Sequence, residues 1–149
     1  MIKDFPINEI TLRRYQKPFQ LEKRELIKKI CLSLGLLQLG DGRDIIVDVL
    51  LILSNAAKEK KELSSDEIKE KVIELRRENK LELKGIADSN IRRQLKRLRD
   101  IMIIEKISNS YRVTEFSSLL EIFENKIEKF LIPQITERIK EYLKEIDKK

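Results

Sequence analysis

The chain has 149 residues, 41% of them hydrophobic and 39% charged, with a net charge of +6. That is enough apolar material for a folded core, and the charged fraction lies well above the roughly 25% of ordinary domains. There is no His and one cysteine, Cys31, which excludes imidazole acid–base chemistry, an intrachain disulfide and a thiolate zinc site.

No stretch approaches the ~18 apolar residues that span a membrane, and the opening MIKDFPINEI has no apolar signal region. The expectation is a cytoplasmic protein with no membrane association. The four glycines are scattered, with no phosphate-binding loop, and Asp41, Asp44 and Asp48 lack metal-loop spacing. No cofactor, no metal and no enzymatic activity are therefore expected. Dense charge of both signs resembles the ion-pair-rich surfaces of thermophile proteins.

Along the chain, residues 1–20 hold Pro6 and Pro18, and Ile10, Leu12 and Arg14 alternate with Thr11 and Arg13, the period of a short strand. Lys3, Arg13, Arg14 and Lys17 make this stretch basic, as in an arm or a solvated hairpin. Residues 21–38 predict a helix, with Leu26, Ile27, Ile30, Leu34 and Leu37 on one side and Gly35 interrupting. Cys31 sits between Ile30 and Leu32 and reads as a buried small hydrophobe. Gly40-Asp41-Gly42 is a loop. Residues 43–59 predict a helix whose body, IIVDVLLIL, is too apolar for a surface position and belongs at the centre of the core.

Ser64 and Glu67 have the spacing of a capping box and open a third helix that buries Ile68, Val72, Ile73 and Leu75. Residues 80–88, KLELKGIAD, are a turn region with Gly85 free to adopt positive φ. A fourth helix follows over about 89–101. At 100° per residue, Ile91, Leu95, Leu98 and Met102 form its core stripe. Ser89, Arg93, Lys96, Arg97 and Asp100 lie opposite, and Arg92 and Arg99 lie on the shoulder. Residues 102–114 alternate like a hairpin around Ser108-Asn109-Ser110.

The segment Lys84–Arg112 holds eight basic and three acidic residues, a local excess of five against a whole-chain excess of six. Other charged stretches, such as KEKKELSSDEIKEK and ERIKEYLKEIDKK, are nearly balanced. A cationic helix fits the major groove, where Arg bonds guanine edges and Lys or Arg neutralise phosphates. The candidate nucleic-acid residues are Ser89, Asn90, Arg92, Arg93, Lys96, Arg97 and Arg99 on the helix, and Lys106 and Arg112 at the hairpin.

The order SNIRRQLKRL, an apolar run, IIEK, a turn and YRVT resembles the winged helix-turn-helix transcription regulators. The resemblance covers residues 43–115. It implies a mainly α fold with a short β-hairpin wing, an N-terminal helical extension over 1–42 and C-terminal helices over 116–149. By resemblance, such a protein binds double-stranded DNA as a homodimer, and Ser89, Arg93, Lys96 and Arg97 would contact the groove. The segment 80–88 is longer and more apolar than the tight turn of that family.

Residues 116–147 read as helices carrying a heptad seam in two phases. Phe116, Leu120, Phe123, Ile127 and Phe130 step by 4, 3, 4, 3, and Ile132, Ile135, Ile139, Tyr142 and Ile146 by 3, 4, 3, 4, with a break or kink at Pro133. Phe116, Leu120, Phe123, Ile127, Phe130, Ile135 and Ile139 are the candidate dimer interface. The expected function is duplex DNA binding, sequence-specific or general, by a homodimeric transcriptional regulator. The alternative is a winged-helix scaffold or adaptor that contacts a protein partner.

Overall fold

Nine consecutive buried residues, Ile45 through Leu53, run through helix α2 (Ile45–Lys58) and make it the axis on which everything else packs. The computed structural model describes residues 8–10, 14, 17–38, 40 and 43–149. Over these residues the chain is mainly helical, with a small three-stranded antiparallel sheet.

Helix α1 (Lys23–Ser33) lays Ile27, Cys31 and Leu32 against α2. It is shorter than the 21–38 expected from periodicity, because Gly35 turns to φ +70 and ends it. Leu36 and Leu37 remain buried, but as loop residues. The Asn8 side-chain amide donates to the Leu34 carbonyl, and a Cβ on Gly35 would lie 1.8 Å from the Glu9 carbonyl oxygen. Position 35 is therefore closed to any side chain. The strand expected at 10–14 and the basic arm fall largely outside the described residues, as do Asp41 and Gly42 of the loop. Ile10, Arg14 and Lys17 are described and exposed.

Strand β1 (Leu63–Ser64), which periodicity does not reveal, leads into α3 (Ser65–Glu78). The capping box forms as spaced: the Glu67 N–H donates to Ser64 Oγ, and the Ser64 N–H donates to Glu67 Oε1, both at 3.1 Å. Helix α3 buries Ile68 and Val72, with Ile73 and Leu75 only partly covered.

Helix α4 (Asp88–Asp100) buries Ile91, Gln94, Leu95 and Leu98. Met102, expected at the end of that stripe, lies beyond the helix at φ 65, and Ile101 occupies the buried place. Strands β2 (Ile104–Ile107) and β3 (Ser110–Val113) form an antiparallel hairpin with Ile104 opposite Val113 and Ile107 opposite Ser110. Its turn is Ser108-Asn109 alone, with Ser108 at φ 54. β1 joins the other edge of β3 and gives the order β1-β3-β2, so the hairpin is tied to the helical body rather than free.

A short 3-10 turn (Thr114–Phe116) leads to α5 (Leu119–Ile122), capped by Ser118 Oγ accepting from the Glu121 N–H at 3.1 Å. A π-helical stretch, Phe123–Leu131, and α6 (Ile132–Asp147) follow with helical backbone across each junction. Pro133 lies at the junction of the π stretch and α6, where the backbone stays helical, and no break occurs there. The π stretch, with Ile132 N–H bonded to the Ile127 carbonyl five residues back, is where the phase of the apolar seam changes. Wider turns put Ile127 in the core at 3% exposure, with Leu131 and Ile132 against it, and leave Phe130 at 47%. Two expected interface residues therefore belong to the fold itself: Ile127 is core, and Phe123 packs on the core.

One hydrophobic cluster draws on α1, α2, α3, α4, the hairpin, Ile122 and Ile127. Residues 27–37 thus share one core with 43–115 and with the C-terminal segment up to about residue 132, beyond which α6 buries no residue at all. Among the described residues, no helix is long and apolar enough to cross a membrane.

Candidate nucleic-acid interface

The cationic face of α4 is held in place by polar contacts on both of its flanks. Gly85, within the 80–88 segment, adopts φ +84, and its carbonyl accepts from Asn90 Nδ2 at 2.6 Å. The Asn90 Oδ1 then accepts from Arg93 Nη2 at 2.8 Å and from Gln94 Nε2 at 3.0 Å. Gln94 Oε1 accepts in turn from Arg97 Nη1 at 2.9 Å, and Arg97 Nη2 reaches the Gly35 carbonyl at 3.4 Å. This chain locks α4 to the 80–88 segment and to the loop after α1.

Of the residues expected to face DNA, Ser89, Arg92, Arg93, Lys96, Arg99 and Lys106 are exposed. Three differ. Asn90 is half-buried and spent on the brace just described. Arg97 is half-buried and leans back to the Gly35 carbonyl instead of pointing straight away from the core, because its place on the helix adjoins Gln94 and the α1–α2 loop. Arg112 is a strut within the hairpin. Its Nε donates to Glu105 Oε1 at 2.6 Å, its Nη1 lies 3.8 Å from Glu62, and its guanidinium stacks 4.8 Å from the Phe116 ring centroid. Phe116 is thereby occupied as well, and does not present itself as an interface residue. Burial raises the Glu105 carboxyl, but the Glu115 N–H and the Arg112 guanidinium outweigh it and hold Glu105 below the usual carboxylate range.

The acidic residues on α4 are mostly offset. Helix α4 begins at Asp88, one residue earlier than expected, so it carries two acids. Lys69 Nζ donates to Asp88 Oδ1 at 2.8 Å and lowers its pKa. Lys96 Nζ meets Asp100 Oδ2 at 3.0 Å in an exposed pair worth little in free energy.

Tertiary folding adds basic residues that local sequence does not reveal. Lys126, from the π stretch, lines a shallow groove with Lys96, Arg99 and Lys106 between α4 and the hairpin; Asp100 and Glu105 lie in the same groove. On the other side, Arg43 borders a recess with Ser89, Asn90 and Arg93 at the start of α4. No spacing rule could have found either residue, since each comes from a different element. Lys106 Nζ lies 5.6 Å from the Tyr111 ring centroid, which orients it along the hairpin.

A buried ionic cluster joins α1, α2 and α3, and sequence periodicity also missed it. Arg76 Nη1 donates to Asp48 Oδ2 at 2.5 Å and to Asp44 Oδ1 at 3.0 Å, and Arg24 Nε donates to Asp48 Oδ1 at 2.9 Å. Arg76 Nε also donates to the Glu82 carbonyl at 2.5 Å, pinning the segment that leads into α4. The available signal was a single acid inside an apolar helix body, since a buried charge demands a partner.

Cys31 is fully buried, and burial pushes its thiol up to about 12, with the nearby Arg97 charge a smaller opposing effect. It is a core residue with no nucleophilic character at neutral pH. Among the described residues, no group of three or more His, Cys, Asp or Glu side chains is placed to hold a metal ion. Comparison with known proteins gives no match to a family model, to a curated protein or to a solved structure.

Proposed function

We propose that this protein is a winged-helix protein that binds duplex DNA, with α4 as the groove-reading helix and the β2–β3 hairpin as the wing, and that it acts as a homodimeric transcriptional regulator. The observation that carries the reading is a cationic surface formed by the exposed Arg92, Arg93, Lys96 and Arg99 on α4 and Lys106 on the hairpin, with the half-buried Lys126 beside them. A helix of this width enters the major groove, and bases there offer acceptors to Arg and Lys. The order α2, β1, α3, α4 and hairpin, with β1 closing the sheet, supports a wing fixed at one end of the reading helix. The Asn90–Gln94–Arg97 brace supports a preorganised surface.

The contact set is narrower than charge alone suggests: the exposed Ser89, Arg92, Arg93, Lys96, Arg99 and Lys106, with the half-buried Lys126 beside them. Arg97, Asn90 and Arg112 act by holding the others in place.

The test is fluorescence anisotropy with random-sequence duplexes over a range of salt. Arg93→Glu with Lys96→Glu lowers affinity roughly a hundredfold or more and leaves the melting temperature nearly unchanged, because both side chains are exposed. Affinity in the unaltered chain falls with salt at about −0.9 per phosphate neutralised. Unchanged affinity in the double variant, or stronger binding to RNA than to DNA, overturns the proposal. A second reading, a scaffold for protein contacts, draws on the uncovered apolar face of α6.

A further inference from the structure

Helix α6 is sixteen residues long and buries none of them. Ile135, Ile139, Tyr142 and Ile146 are 55, 51, 57 and 66% exposed. With Ile132 they take every a and d place of a heptad frame, and Gln134, Glu137, Lys140, Glu141 and Lys144 fill the far side. An isolated helix of this length is marginal in water, and its stability depends on covering the apolar face. The exposed apolar residues of α6 fall at the a and d places, with Leu143 at one e place as the single addition, which is close to the width of a coiled-coil seam.

The residues flanking the seam select the occupant. Arg138 and Glu145 hold the g places, and Thr136 and Leu143 the e places. When two copies of α6 run antiparallel with Ile139 against Tyr142 of the second copy, Ile135 falls against Ile146 of the second copy. In that same register Arg138 faces Glu145 of the second copy, and two-fold symmetry repeats the pair. A parallel alignment instead sets Arg138 beside Leu143. Seam packing and charge complementarity therefore agree in a single register. Arg138 and Glu145 are free to re-pair: their contacts to Glu141 at 3.2 Å and Lys148 at 3.1 Å join exposed side chains on the same helix and are worth little.

We infer that α6 is a self-association helix, pairing antiparallel with the same helix of a second copy through Ile135, Ile139, Tyr142 and Ile146 and through two Arg138–Glu145 contacts. This deepens the dimer part of the function proposed above and is independent of its DNA part. The symmetry sets the two bodies at opposite ends of the pair, so the seam extends only over α6. Leu120 and Phe130 are not members of it.

The test is sedimentation equilibrium on the full chain. The unaltered protein forms dimers. Arg138→Glu alone and Glu145→Arg alone each place like charges opposite one another twice, and each raises the dimer dissociation constant about tenfold or more. The double variant R138E/E145R restores it to near the starting value. Circular dichroism melts confirm that each variant stays folded. Orientation is read by crosslinking: a mixture of Ile135→Cys and Ile146→Cys chains forms mixed disulfides, whereas Ile139→Cys chains alone do not. A monomeric unaltered chain, single charge variants that dimerise normally, or efficient Ile139→Cys homo-crosslinking overturns the inference. Dimerisation in a protein that ignores duplex DNA sinks the DNA reading and leaves this one standing.

Discussion

The Arg76 guanidinium donates to the Asp48 carboxylate at 2.5 Å, and both side chains are sealed from solvent. Through the Glu82 carbonyl the same arginine holds the segment that delivers α4. Removing Arg76 leaves the buried Asp48 carboxylate with Arg24 as its remaining partner. Arg76→Met therefore costs up to about 3–5 kcal/mol, the scale of a broken buried pair, measured by urea denaturation, and loosens the start of α4, seen as faster amide exchange at residues 90 and 91. A loss below about 1 kcal/mol, the scale of an exposed pair, would show that the cluster contributes no more than surface charges do.

Asp44 belongs to the same cluster. Burial raises its carboxyl, but the hydrogen bond from Arg24 and the charge of Arg76 outweigh it and leave the pKa below the usual value. In the unfolded chain this carboxyl takes up a proton first as pH falls. Its contribution to stability is thus complete above roughly pH 4 and is lost as pH drops through the lower folded value. Glu105, also depressed, acts in the same direction. The melting temperature should fall steeply below about pH 4. The Asp44→Asn variant should be less stable at neutral pH and show a shallower acid decline. An acid decline of unchanged steepness in that variant would assign the effect to other carboxylates.

Arg99 and Arg112 separate contact from support. Arg99 is exposed on α4, while Arg112 is bound up with Glu105, Glu62 and Phe116. Replacing Arg99 by Ala should reduce the salt slope of DNA binding by about 1 and leave stability unchanged. Replacing Arg112 by Ala should lower stability by about 1–2 kcal/mol and leave the slope nearly the same. Reversed behaviour of the two would return Arg112 to the contact set.

Gly85 adopts φ +84, and an added Cβ would lie 2.9 Å from Asn90 Nδ2 and 3.2 Å from Ile45 Cγ1. Gly85→Ala meets the left-handed penalty of about 1–2 kcal/mol and pushes Asn90 away from the Gly85 carbonyl. The expected result is a lower melting temperature together with weaker DNA binding, since the brace behind Arg93 goes with it. Asn90→Ala should reproduce the binding loss with no backbone strain. If Gly85→Ala melts like the parent, the Asn90–Gly85 contact is not what seats the helix.

Local pattern alone determined the centrality of α2, the capping box at Ser64, the turn at Gly85, the core stripe Ile91–Leu95–Leu98 and the hairpin around Ser108-Asn109. Each depends on residues within one or two turns of one another, where side-chain period and backbone preference decide the outcome. The exposed cations of α4 were legible for the same reason.

Tertiary structure decided what pairs with what. Arg97 and Arg112 look like free cations in the sequence, yet Gly35, sixty-two residues away from Arg97, and Glu62 across the sheet claim them. Lys126 joins the α4 groove from a distant segment, and Asp48 finds Arg76 and Arg24 through helix packing. The C-terminal seam divides for a related reason. A periodic apolar stripe gives a helix one sticky face, but the π stretch turns Ile127 into the core and leaves Ile139 outside. Charge and hydrophobicity are properties of a residue, whereas burial and partnership are properties of a packed surface, and only the folded chain brings that surface together.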